Sequence, residues 1–537
     1  MIVVVVLPAG WERALAPVAT ALARFGSPLG WWIAAIVLLL AGLAMATRAP
    51  RWAPVLAAIA ALALGIASDG LVDDAYIQFR YAANLAADHG PVFNPGERIE
   101  GASGGIWIGA LALGPALFAT DPGVWGRFLS LALTALAALA AGRAMAAAAG
   151  ARAGAVAALV WAALPTTALY AATGLETAAY GLALWLAAWA VASRRPRLAW
   201  IPGTVTAALR PEGLVLGAVA APWLRRLGRP ARALVLGTLA GAGAIALARW
   251  ATYGALLPRS VTVKGFTAAA GIGSGIVYLG KGLLEWFPLL VGVPLLVRRR
   301  ALLAPALAAA GGWTALVAMR GGDWMPGSRY LLPLLVVLTG ATAATEWRWA
   351  RAAAAATAAW GCLLLAPIPD PAVKVAGAAW RPMAEHRVQS QWWEALGGGL
   401  SAVLPPGTTL ASGPSGALPY TSGMPAFDMY GLCSVGTQEN AGPTGHRLWG
   451  LRQAAGKFDV IYIGKSLPQV RDPKAVAEAA ERQTVAIPGF RLAYEPVVVM
   501  HEPESSVDVV ADVLWVRPAL ASRFARLPAA RRPQFRR

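Results

Sequence analysis

Residues that usually carry chemistry are scarce in this chain. Its 537 residues include 2 cysteines and 4 histidines, and only 14% are charged. Cys362 lies in an apolar run and Cys433 in the C-terminal region, so at most one disulfide is possible, and their unlike settings argue against it. No redox compartment can be read from them. His89, His386, His446 and His501 show no ligand spacing, and there is no Cys-x-x-Cys, His-Glu-x-x-His or P-loop. Zinc chemistry and nucleotide hydrolysis therefore have no support. Met1–Leu7 lacks a basic flank and is too short an apolar stretch for a cleaved signal peptide, so the encoded N-terminus is expected to be the mature one. A soluble protein carries roughly 25% charge. A chain that is 58% hydrophobic with a mean hydropathy of +0.56 is not one soluble domain.

The net charge of +19 would suggest nucleic acid in a soluble protein, but its distribution excludes that partner. Residues 1–367 hold 28 basic and 13 acidic groups, residues 385–516 hold 9 and 13, and the tail 517–537 contributes seven arginines. Apolar runs at about 31–46, 52–67, 124–142, 153–172, 178–193, a tight pair within 198–224, 233–250, 276–297, 301–318, 329–345 and 350–367 fit the 17–25 residues that a bilayer span needs. About 11–12 spans are expected. The joints with Arg48/Arg51, Arg143/Arg152, Arg194/Arg195/Arg197, Arg225/Arg226/Arg229/Arg232, Arg298/Arg299/Arg300 and Arg348/Arg351 hold sixteen basic residues and one acid, Glu346. By the positive-inside rule they are cytoplasmic. The alternate joints then face out, and they contain ten of the thirteen acids of the membrane part.

This parity forbids a full crossing by the apolar run Gly104–Ala119, which is expected to be re-entrant or interfacial, and gives a large first outer loop at about 68–123. The expected architecture is a polytopic α-helical membrane domain over 1–367, a soluble α/β domain over 368–516 on the outer face, and a basic tail over 517–537. In the soluble domain Thr408–Ser412, Ala426–Met429, Val460–Gly464, Val497–Met500 and Val513–Val516 read as strands, with helices near Gln391–Leu400 and Pro473–Gln483. The Gly213/Gly217 and Gly237/Gly241 pairs suit close helix packing.

The first outer loop carries the densest signal. Asp73 and Asp74 would occupy the cap and first turn of a helix, and Asp is a favoured residue there for structural reasons alone. Arg80 lies two helical turns later on the same face and could meet a phosphate at headgroup level. Glycosyl transfer needs a carboxylate to take the acceptor proton or stabilise the sugar, and a cation for the leaving phosphate. An acid beside such a cation at a membrane surface suits sugar transfer from a lipid phosphate. Further candidates are Glu100, Glu176, Arg210, Glu212, Lys264, Arg320, Asp323 and Arg329. Each has a structural alternative: Glu176 as a helix cap, Arg210 with Glu212 as a local ion pair, Lys264 as a solvated charge, Asp323 as the holder of a Gly-rich turn. Gly413-Pro-Ser-Gly416 reads as a strand-to-helix turn, with an anion-binding turn as the alternative. No cofactor is implied, although the acid pair is compatible with a divalent cation.

Asp73-Asp-Ala-Tyr-Ile with Phe79-Arg-Tyr81, Gly90-Pro-Val-Phe-Asn-Pro-Gly-Glu-Arg-Ile-Glu100, Gly174-Leu-Glu-Thr, Arg210-Pro-Glu-Gly, the loop to Lys264 and Gly321-Gly-Asp-Trp-Met-Pro-Gly together resemble the terminal β-(1→2)-arabinofuranosyltransferase family of actinobacteria, within the GT-C glycosyltransferases. The resemblance runs in order from about residue 69 to 335. It implies a GT-C-type enzyme of the cytoplasmic membrane that takes arabinofuranose from a polyprenyl-phosphate donor and adds it to cell-wall arabinan or lipoarabinomannan outside, with the base role on Asp73 or Asp74. Three rivals remain at this level: a GT-C transferase of mannosyl or aminoarabinosyl groups, a transporter or flippase of the lipid-linked sugar, and a scaffold with the C-terminal domain as recognition module. Against the transporter stands the placing of charge in the joints, with no internal repeat.

Overall fold

The computed structural model describes residues 27–259, 268–368, 378–434, 454–463, 490–501, 510–526 and 530–531. Two compact units emerge from the contact pattern. One gathers the described residues up to Gly70, Gly104–Leu256 and Gly265–Glu385, and the other those of Leu71–Ser103, Leu257–Lys264 and His386–Arg537.

The first unit is helical. Leu- and Ala-rich runs supply strong helix formers, and proline sits in the first turn where its missing N–H costs nothing, as at Pro28, Pro54, Pro122, Pro165 and Pro196. Ser27 and Asp121 accept backbone N–H groups at the starts of Pro28–Arg48 and Pro122–Ala149. Among the described residues, four helices are long and apolar enough to cross a membrane: Pro28–Arg48, Pro122–Ala149, Arg229–Tyr253 and Gly271–Arg298. Seven shorter apolar helices accompany them.

The helix Gly105–Phe118 has 14 residues with Pro115 inside it. At 1.5 Å per residue it spans about 21 Å, less than the roughly 30 Å of hydrocarbon. Pro196–Leu209 has the same length, and Glu212–Ala220 is shorter still. Both small-residue pairs lie at tight helix contacts. A Cβ on Gly237 or Gly241 would meet the backbone of Trp200 or Thr204, and one on Gly213 the backbone of Ala207. Gly217 sits against the Thr238 side chain. Close backbone approach of this kind is how apolar helices gain packing without a hydrophobic driving force.

The second unit is an α/β layer built on a mixed sheet. Its strands are β1 (Leu410–Ser412), β2 (Ala426–Asp428), β3 (Val460–Tyr462), β4 (Glu495–His501), β5 (Val510–Val516) and β6 (Ala530–Arg531), in the order β2-β1-β3-β5-β4-β6. Strands β2 and β3 flank β1 in parallel, with Leu410 opposite both Ala426 and Val460, while β3–β5, β5–β4 and β4–β6 are antiparallel. Each of the five expected strands has its counterpart. The helix expected near Gln391–Leu400 is part of Trp380–Val403, and the one near Pro473–Gln483 lies outside the described residues. Ala411, Met429, Ile461, Phe490, Tyr494 and Trp515 form the core of the layer. Trp393 donates to the Tyr462 hydroxyl at 3.0 Å.

The chain leaves β1 through the short helix Ala417–Ser422, returns in β2 on one side, and then crosses to β3 on the other. The divergence occurs at the carboxyl end of β1, which is where open parallel sheets place their functional groups.

Candidate functional site

Asp73 and Asp74 open the helix Asp73–Ala86, whose N-cap is Val72, with no side-chain cap. The expected capping role is therefore not the one Asp73 performs. Its Oδ1 accepts the Ala417 N–H at 2.7 Å, and the Gly416 N–H also reaches the carboxylate. Burial pushes this carboxyl up to about 7, and the nearby charges of Asp74 and Asp428 push the same way, against the two backbone N–H groups. Asp428 ends β2 and is buried. It accepts N–H groups from Tyr430, Leu432 and Cys433 at 2.7–2.8 Å and a hydrogen bond from Ser415, while burial raises its proton affinity. Asp428 belongs to no motif in the sequence. An acid closing a strand before a Tyr-Gly turn was the available signal.

Arg80 does lie on the face of Asp73, and it is directed to the same short helix. Its Nε donates to the Phe93 carbonyl at 2.7 Å, one terminal nitrogen to the Pro419 carbonyl, and the other to Asn94 Oδ1 at 3.0 Å and the Met424 carbonyl at 2.7 Å. The Phe93 ring lies 4.6 Å from the guanidinium. Burial lowers the Arg80 pKa to about 10. A guanidinium so committed ties the 91–94 loop to residues 419–424. Arg80→Lys, which cannot reproduce the planar fork, should destabilise this unit by roughly 2–4 kcal/mol, read as increased protease cleavage within residues 91–103 and a lower unfolding midpoint. Glu100 is buried in the same unit, and its carbonyl faces the Arg259 N–H at 3.4 Å.

Five of the remaining candidates meet within the helical unit. Glu176 precedes Thr177–Ala192 and makes no cap hydrogen bond; its carboxylate lies 3.3 Å from Arg210. Arg210 also pairs with Glu212 at 2.7 Å, through Nε and a terminal nitrogen. The local ion pair is thus real and has a third member. Asp323 holds Arg329 with both oxygens, at 2.5 and 3.4 Å.

Tyr330 joins the two sets. The Arg210 guanidinium lies 5.1 Å from its ring centre and the Arg329 guanidinium 5.3 Å, while Arg210 also approaches Tyr180 and Arg329 approaches Tyr170. The Gly-rich segment that carries Asp323 bends through positive φ at Gly321, Gly322, Gly327 and Ser328. A side chain on Gly322 would strike the Tyr278 ring, so glycine is required there by both conformation and space. Sequence reasoning did not find Tyr330, because an aromatic residue after Arg329 has no pattern that separates it from core.

Arg320 is half-buried at the end of Arg300–Met319. Lys264 lies outside the described residues. Among the described residues no group of three or more His, Cys, Asp and Glu is placed to hold a metal ion.

A family model described as a domain of unknown function (DUF8728) matches residues 378–506. The chain is 30% identical over 323 residues to a terminal beta-(1->2)-arabinofuranosyltransferase of Mycobacterium tuberculosis (strain ATCC 25618 / H37Rv). That match takes in 50% of this chain and 51% of the relative, so the chain spans about half the length of the curated protein it matches. Its fold resembles ArnT from Cupriavidus metallidurans bound to undecaprenyl phosphate, with a TM-score of 0.50 and 14% identity over 86% of this chain and 97% of that one. The apo form of ArnT gives 0.47, at 16% identity over 87% and 98%. The chain is a multi-pass helical membrane protein with a small C-terminal α/β sheet and a fold like that of ArnT, similar over half of its length to a terminal beta-(1->2)-arabinofuranosyltransferase.

Proposed function

We propose that this chain is a membrane glycosyltransferase that moves a sugar, arabinofuranose, from a polyprenyl-phosphate donor to a cell-wall glycan acceptor at the outer face of the cytoplasmic membrane, with Asp73 as the base. The observation that carries the reading is the Asp73 carboxyl, buried, oriented by two backbone N–H groups and poised near pH 7, on a chain with this fold and this relative. Asp73 accepts the proton of the acceptor hydroxyl while that oxygen bonds to the anomeric carbon and the bond from that carbon to the phosphate oxygen breaks. Burial keeps the proton affinity of Asp73 high, and Asp74 is one of the two like charges that add to it. Lys264, a basic group of the joint that follows Arg229–Tyr253, is assigned to the leaving phosphate, whose charge a cation stabilises. Glu176, Arg210, Glu212, Asp323 and Arg329 are assigned to the buried framework of the helical unit.

Purified protein assayed with polyprenyl-phosphate arabinofuranose, mannose and aminoarabinose should turn over the first in preference. A preference for either of the others would replace the sugar named here, and binding of all three without turnover would favour transport. The sign of the pH dependence follows from the raised pKa. The base form of Asp73 is present above about pH 7, so kcat/KM should fall tenfold per unit below that value. Asp74→Asn, which removes the neighbouring negative charge, should move this acid limb to lower pH.

A further inference from the structure

We propose that the turn between β1 and β2, through the Gly416 and Ala417 backbone N–H groups, is the positioning element of Asp73: it fixes the orientation of the carboxylate and holds its charged form. The inference rests on Asp73 being the base and goes beyond that reading, because it gives the C-terminal sheet a part in the reaction.

The turn is braced for such a task. The Gly413 N–H donates to the Tyr462 carbonyl at 2.9 Å, which ties it to β3. The Ser412 hydroxyl donates to the Pro414 carbonyl at 2.6 Å, and the Ser415 hydroxyl donates to the Gly413 carbonyl at 3.2 Å. Ser415 also bonds to the Asp428 carboxyl, linking the turn to the end of β2. Behind it, the Tyr420 ring packs against Tyr76 and Phe79 at 5.8 and 6.1 Å, and the Tyr76 hydroxyl donates to Glu394 at 2.9 Å. The Asp73–Ala86 helix and the turn are thereby held in register. Ala417 then places its N–H 2.7 Å from Asp73 Oδ1.

Gly416 has a specific reason to be glycine. A Cβ there would meet the Asp73 carbonyl and come within 2.6 Å of its carboxyl carbon, so any side chain pushes the acid away. Hydrogen bonds to the charged form favour it, and here they oppose the burial and the Asp74 and Asp428 charges that favour the proton. The titratable groups coupled to Asp73 among the described residues are those two carboxyls, one from its own helix and one from the sheet, and the buried Cys433 thiol.

The test uses the full-length protein in lipid nanodiscs, with polyprenyl-phosphate arabinofuranose as donor and a synthetic arabinan acceptor. Ala417→Pro, at a first helical position where proline is tolerated, replaces the N–H with a ring carbon that removes the hydrogen bond and displaces Asp73 Oδ1 from the turn. Losing one hydrogen bond to the charged form should move the acid limb of kcat/KM upward by about one pH unit. Gly416→Ala should lower kcat by roughly 10–100-fold, the cost of an ångström-scale misplacement, and leave the donor KM within about twofold. A folded Ala417→Pro variant with an unmoved acid limb, or Gly416→Ala at full kcat, overturns the proposal. Asp73→Asn keeps the two failures apart. Full activity in that variant removes the base assignment itself, whereas an inactive Asp73→Asn beside an unmoved Ala417→Pro limb removes only the positioning role.

Discussion

Asp73→Asn is expected to lower kcat by roughly 10²–10⁴-fold, the usual contribution of a positioned general base, with little change in donor KM and no loss of fold. Asparagine keeps the size of the side chain and an oxygen that can still accept the Ala417 N–H, so the contact that anchors residue 73 survives while the proton acceptor is gone. Single-turnover transfer measured across pH 5–9 is the decisive readout. The variant should be slow at every pH, whereas a residue that merely supports the fold would give a smaller loss together with a lower unfolding midpoint. Full transfer by Asp73→Asn would sink the assignment of the base.

The second large effect belongs to the helical unit. Arg210 is 5% exposed and lies between the carboxylates of Glu176 and Glu212, which are 6% and 3% exposed. Arg210→Met leaves two buried acids without their cation, and breaking a buried pair in this way costs roughly 3–5 kcal/mol. Detergent-solubilised protein should unfold at a distinctly lower temperature. The triple variant Arg210→Met, Glu176→Gln, Glu212→Gln should recover most of that loss, because the penalty comes from uncompensated charge and not from the absence of the ion pair. Equal instability of the single and triple variants would instead assign the cost to the Arg210 contact with Tyr330.

The elements that could be read from the sequence share one property: their signal is local. Four of the five strands announced themselves by β-branched residues between turn signals, Ala426–Met429 by Phe427 after a Gly-Met-Pro turn, and the glycine pairs by their spacing on apolar helices. The ion pair of Arg210 and Glu212 was legible because the partners are two residues apart, and the link to Glu176 was not, because two helices separate Glu176 from Arg210 in the chain. Asp73 shows the limit most sharply. Its decisive partners are backbone N–H groups 344 residues away, and a backbone donor has no letter in the sequence. Arg80 shows the converse. Helical periodicity correctly put it on the face of Asp73, yet periodicity says nothing of the four oxygens that meet it there, three of them main-chain carbonyls.

One unit of this molecule is stitched from three distant stretches, Leu71–Ser103, Leu257–Lys264 and the chain from His386 onward. On the ribosome, where elongation runs at about 5–20 residues per second, the 344 residues separating Asp73 from Ala417 take roughly 15–70 s to synthesise. For that interval the Asp73–Ala86 helix has been made and its docking partner does not yet exist. Assembly of the acid is therefore a late event of biogenesis, and a nascent chain halted before residue 386 would carry every helix of the first unit while Asp73 still awaited its two donors.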